Sequence, residues 1–238
     1  MSAKGMLHYY GERFRTVEIN NTFYRMPSVS ILETWAGDVP ADFKFVLKAP
    51  RQISHMKRLK DAADSVSYLL EAAWTLEERL GPLLFQQPPN LEKDVPRLRD
   101  FLALLPSKRR VAFEFRHQSW FDEEVFGLLR DHQAALCIAE AENDLEDPFV
   151  STGDWGYLRL RRPDYDNAEI RKWVHLVRKR CNIMFMEGIP AGTKLPCLYA
   201  SLTIPQECLH AISSPSIFRK RQGHDAQSLC RVPKRRFV

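Results

Sequence analysis

Apolar and polar positions follow two rhythms along the chain, and the rhythms take turns. Short runs of period two or of continuous apolar character read as strands: Thr16 to Asn20, Phe43 to Leu47, Leu83 to Gln86, Val111 to Phe115, Ala135 to Ala139 and Gly156 to Leu160. Between them, apolar residues recur three and four apart, as on one face of a helix. Leu7, Tyr10 and Phe14 mark a first helix, with no strand before it. Ser28 reads as the cap of a helix through Ile31, Leu32 and Trp35 that Gly37 closes. Asp61 or Asp64 caps a helix running to about Arg79 through Val66, Leu69, Leu70, Ala73 and Leu76, with Gly81 ending it. Asp94 and Pro96 start a helix over Leu98 to Leu105, Asp122 caps Val125 to Leu129, and a last helix covers Asn167 to about Arg180.

Strands separated by helical crossovers imply a parallel sheet covered on its faces. Polar residues gather at the C-terminal ends of the strands, which favours a TIM-like (β/α) barrel over an open doubly wound sheet. No glycine-rich phosphate loop follows a strand, so a dinucleotide fold is not indicated and no cofactor is implied.

A chain of 238 residues, 45% apolar, has the size of one such barrel. The pattern holds over residues 1–185; from 186 to 238, G-I-P-A-G-T-K-L-P, S-L-T-I-P and S-S-P-S-I-F interrupt every apolar run, and little regular structure is expected. The formal net charge of +5 belongs to this end of the chain. From Arg178 onward there are 11 Lys and Arg against 3 Asp and Glu, leaving 24 against 27 before it. Such a tail could hold nucleic acid, but it lacks regularly interleaved aromatics, and a solvated segment is the preferred reading. Cys181, Cys197, Cys208 and Cys230 are spaced 16, 11 and 22 apart, which matches no zinc pattern; they read as free thiols. No apolar run is long enough for a membrane span and no apolar signal segment opens the chain, so a cytoplasmic protein is expected. Oligomeric state is not legible.

The chemistry lies where carboxylates interrupt greasy strands. Glu18 sits between Val17 and Ile19, and Glu114 between Phe113 and Phe115. Pointing inward, each needs a partner, because an unpaired buried carboxylate is costly. Arg116, two residues beyond Glu114 on the same face, is the nearest cation in sequence; Asn20, Lys48, Gln86, Tyr157 and Arg159 come from other strand ends. On the functional reading they line a basin for a small anionic ligand, with Glu18, Glu114 or His55, from the loop after the Lys48 strand, moving a proton. On the structural reading they neutralise one another and hold the interior together. A metal is not indicated, since only His55 is well placed and the three cations oppose another positive charge. Phe23, Tyr24 and Trp120 are stacking candidates that read equally as lid or core. Ser119 and Ser151 have no nucleophile motif around them.

Six ordered motifs over about Tyr9 to Trp173 resemble the YecE-like family, known as domain of unknown function 72. They are Y-Y-G-E-R-F-R-T-V-E-I-N-N-T-F-Y-R-M-P, W-A-G-D-V-P-A-D-F-K-F-V-L-K-A-P-R-Q-I-S-H, R-L-G-P-L-L-F-Q-Q-P-P, F-L-A-L-L-P, V-A-F-E-F-R-H-Q-S-W and T-G-D-W-G-Y-L-R-L. The resemblance implies an α/β, TIM-type barrel of unassigned activity. Relative to that pattern the first strand is missing and Arg161-Arg162 replaces a His-Gly pair after the seventh. The eighth strand survives only as Asn182 to Phe185, so an incomplete barrel is expected. Two functions stay open: acid/base chemistry on a phosphate- or nucleotide-like anion, or a noncatalytic binding or scaffold protein whose ion pairs are structural.

Overall fold

A computed structural model of the chain describes residues 3–107, 109–139, 148–160, 165–173, 175–176 and 198–202. Its strands are β1 (Thr16–Ile19), β2 (Lys44–Lys48), β3 (Leu80–Gln86), β4 (Val111–Glu114), β5 (Ala135–Ala139), β6 (Gly156–Leu160) and β7 (Leu198–Leu202). They form one sheet in chain order, every neighbouring pair parallel. The helices are α1 (Ala3–Gly11), α2 (Asn21–Tyr24), α3 (Val29–Gly37), α4 (Ala63–Trp74), α5 (Val95–Leu102), α6 (Glu123–Asp131) and α7 over residues 167–173.

Alternation along the strands sorts the core into two layers. Phe45, Leu47, Leu83, Phe85, Val111, Phe113 and Leu136 pack outward against the helices, joined by Leu32, Val66, Leu69, Leu98, Phe101 and Leu129. Val46, Leu84, Ala112, Cys137 and Tyr157 form a separate inner cluster. On four strands the polar residue stands two positions beyond an inner-cluster residue and so shares its face: Lys48, Gln86, Glu114 and Arg159.

The inner face is concave. Hydrogen-bonded strands stand about 4.8 Å apart, so in a flat sheet β1 and β6 would be separated by about 24 Å. Yet the Tyr157 hydroxyl on β6 donates to Glu18 on β1 over 2.7 Å. Only a sheet that curls back on itself brings those side chains together. The result is an α/β, TIM-like arrangement, incomplete in that no described strand closes β7 onto β1.

Several caps fall where the sequence places them. Ser28 Oγ accepts from Ile31 N–H, Asp94 Oδ1 from Arg97 N–H and Asp122 Oδ1 from Glu124 N–H. Other expectations need correction. α4 begins after Ala62 with no side-chain cap; Asp61 adopts a left-handed φ of 48° and Asp64 lies in the first turn. α4 stops at Trp74, and Glu77, at φ 48°, opens the short 3₁₀ turn Glu77–Arg79. Gly81 does not end a helix but lies inside β3, where the pairing with β2 slips by one residue between Phe45 and Leu47. A Cβ there would meet the Phe45 carbonyl oxygen at 2.9 Å. The neighbouring Pro82, with no N–H to offer the ladder, suits such a bulge. β7 is a single short strand within the segment where little regular structure is expected. Asn182 to Phe185, the tail cysteines and the basic clusters lie outside the described residues.

Candidate functional site

Arg159 is the hub of the inner face. Its Nε donates to Glu18 Oε2 at 2.9 Å and its Nη2 to Glu18 Oε1 at 2.6 Å, a two-pronged grip on one carboxylate. Its Nη1 donates to Glu114 Oε2. Gln86 Nε2 closes the set by donating to Glu114 Oε1 at 2.7 Å. The side chains of Glu18 and Arg159 are each 3% exposed and that of Glu114 is 1% exposed. Burial works against the charge of Arg159, but the carboxylates of Glu114 and Glu18 outweigh it and hold the guanidinium more firmly protonated than usual. Tyr157, buried beside Glu18, has its phenol pushed well above its ordinary range, first by burial and then by the Glu18 charge. It therefore acts as a neutral donor.

Of the partners that the sequence offers for Glu114, Gln86 and Arg159 are hydrogen-bonded to it, Arg159 lying 45 residues further along the chain. The curl of the sheet, invisible in local spacing, decides the match. All four oxygens of the two carboxylates accept hydrogen bonds inside the protein.

The remaining candidates stand at the strand ends. Lys48, the last residue of β2, is largely buried, with its ammonium 4.3 Å from the centre of the Phe23 ring. Phe23 belongs to α2, a short helix the periodicity did not reveal. Thr22 fixes that helix: its hydroxyl contacts the carbonyl oxygens of Ile19 at 2.9 Å and Lys48 at 2.7 Å, tying α2 across the ends of β1 and β2. His55 meets the other side of this arrangement, its ring edge-on to Phe23 at 4.9 Å. It rides on a single π-helical turn, Gln52–Met56, followed by left-handed Arg58, Leu59 and Asp61. Such turns and strained residues collect at functional sites.

Burial, then Lys48 and Arg116, lower the pKa of His55 below its ordinary value, with Glu114 pulling the other way. Its imidazole is thus neutral near pH 7. Ser54, which sequence inspection passed over, holds the ring. The buried Ser54 Oγ lies 2.9 Å from His55 Nδ1 and 3.4 Å from the Pro50 carbonyl oxygen. The adjacent Ser-His pair in the loop after a strand is the one sequence signal that would have flagged it. Asn20 is at the N-terminus of α2, exposed, and makes no side-chain cap there; it is not drawn into the network. Gln87, which was not singled out, is fully buried, and neither polar atom of its amide has a hydrogen-bond partner among the described residues.

Two loops, after β3 and after β4, are tied to each other. Lys93 N–H donates to Ser119 Oγ at 2.7 Å, Trp120 Nε1 to the Leu91 carbonyl at 2.7 Å, and Lys93 pairs with Asp122 at 3.1 Å. Trp120, fully buried and stacked on Phe115 at 4.6 Å, is core rather than a stacking platform. No described helix is long and apolar enough to cross a membrane.

Comparison with known proteins agrees with this architecture. The chain is 32% identical over 116 residues to the UPF0759 protein YecE of Escherichia coli K12, covering 48% of this chain and 43% of that one. It is 28% identical over 132 residues to the UPF0759 protein YunF of Bacillus subtilis, covering 50% and 45%. The match thus spans less than half the length of these curated relatives. Among solved structures it resembles a DUF72 family protein of Thermotoga maritima, with TM-score 0.70, 24% identity and coverage of 85% and 83%. It equally resembles one of Enterococcus faecalis, with TM-score 0.70, 20% identity and coverage of 89% and 91%. Residues 1–189 match the family model for the protein of unknown function DUF72, and the chain belongs to that family.

Proposed function

We propose that the C-terminal mouth of the barrel binds a small phosphate-type anion and that His55 is its acid/base group. The observation that carries this reading is that Lys48 and the half-buried His55 meet on the same Phe23 ring at the strand ends, at 4.3 and 4.9 Å, with burial, Lys48 and Arg116 each lowering the pKa of His55. Among the described residues three cations, Lys48, Arg116 and Arg159, stand with two carboxylates, Glu18 and Glu114, an excess of positive charge suited to an anion. A neutral imidazole beside a bound phosphate can accept a proton, and the phosphate then stabilises the imidazolium. Glu18 and Glu114, with Gln86 and Tyr157, hold Arg159 and the curl beneath. Asn20, on the exposed rim, is an accessory contact.

The test is thermal unfolding in the presence of a phosphate-ester and nucleotide panel. Stabilisation by at least one phosphate ester, lost in both Lys48→Met and Arg116→Ala, supports the site. A second reading is favoured by the hydrogen bond that every Glu18 and Glu114 oxygen accepts inside the protein: a noncatalytic protein whose ion pairs only maintain the fold. It predicts no stabilisation by any anion, with both variants behaving as wild type toward the panel.

A further inference from the structure

The rim beside the proposed anion site is more apolar than an anion alone requires. Tyr24 and Met56 are the two most exposed large apolar side chains among the described residues, at 69% and 71%. They belong to different elements, α2 and the π-helical turn, yet their chain neighbours touch: Phe23 meets His55 ring to ring at 4.9 Å. The Tyr24 ring stands edge-on to Phe23 at 5.2 Å, and the Lys48 ammonium lies 4.3 Å from that same Phe23 ring. An exposed aromatic ring therefore stands against the same Phe23 ring that carries the Lys48 ammonium, and an exposed thioether follows His55 in the chain. Exposed aromatic surface next to fixed charge matches a ligand with a planar apolar body and an anionic end.

Building on the anion site, we propose that its ligand is a phosphate ester of a planar aromatic group. The phosphate faces Lys48 and Arg116, the ring lies against Tyr24, and the Met56 sulfur borders the ring. Isothermal titration of the full chain with phenyl phosphate and with methyl phosphate tests this. The wild-type protein binds phenyl phosphate about fivefold more tightly, the size of one aromatic contact. In Tyr24→Ala, an exposed position whose replacement leaves the core untouched, that ratio falls to about one; Met56→Ser reduces it partway. Equal affinity for the two esters in the wild type, or a ratio retained in Tyr24→Ala, overturns the aromatic assignment while leaving the anion site standing. If neither ester binds, the anion site fails and the aromatic assignment fails with it.

Discussion

Arg159 on β6 grips Glu18 on β1 through two nitrogens, at 2.6 and 2.9 Å, across the concave face of the sheet. The same guanidinium holds Glu114 of β4. One side chain therefore ties the first, fourth and sixth strands together, and its geometry exists only while the sheet stays curled.

Arg159→Met strands two buried carboxylates. Breaking a buried ion pair by removing one partner costs about 3–5 kcal/mol, and urea unfolding should report a loss of that order. Arg159→Lys recovers little, because an ammonium cannot reproduce the planar fork. The triple variant Arg159→Met, Glu18→Gln, Glu114→Gln is predicted to be more stable than Arg159→Met alone, since no charge is left uncompensated. A triple variant less stable than the single one would contradict this account of the hub.

His55 gives the free protein a pH signature. Burial and the cations Lys48 and Arg116 favour the neutral ring, so the unfolded chain takes up a proton at higher pH than the folded one. The contribution of this group to stability is complete above the unfolded value of about 6.5 and declines as pH falls below it. An NMR titration of the His55 ring should give a midpoint below that value, and Lys48→Met should raise it by removing a neighbouring cation.

Gln87 is fully buried, with neither amide atom partnered among the described residues. An orphaned buried polar group costs about 1–3 kcal/mol, and an apolar residue of similar shape removes that cost. Gln87→Met is predicted to raise the unfolding free energy by about 1–2 kcal/mol on the same scale. A destabilised variant would mean that the amide is held by a partner.

Gly81 lies at the slip between β2 and β3, where a Cβ would approach the Phe45 carbonyl oxygen to 2.9 Å. Gly81→Ala pushes two backbones apart and should cost about 1–3 kcal/mol, measured by denaturation. Gly37→Ala, where an added Cβ meets nothing within 4 Å, is the matched control and should change stability far less.

The alternation of strands and helices, and the inward parity of Glu18, Lys48, Gln86, Glu114, Tyr157 and Arg159, could be read directly from period two and period 3.6. Their partnerships could not. That Arg159 on β6 would grip both Glu18 and Glu114 is not written in local spacing, because curl is a property of the whole sheet. The supports of His55 were hidden for a different reason. α2 has four residues and the π-helical turn five, too short for periodicity to register. Gly81 looked like a helix stop because helix ends recruit glycine, whereas here the missing Cβ makes room for the Phe45 carbonyl oxygen.

The titration of His55 in the presence of phosphate tests the central claim most directly. With saturating phenyl phosphate, the His55 midpoint measured by NMR should rise relative to the free protein, since a bound anion favours the imidazolium. An identical midpoint, with and without the ester, would contradict a phosphate seated against Lys48, Arg116 and His55.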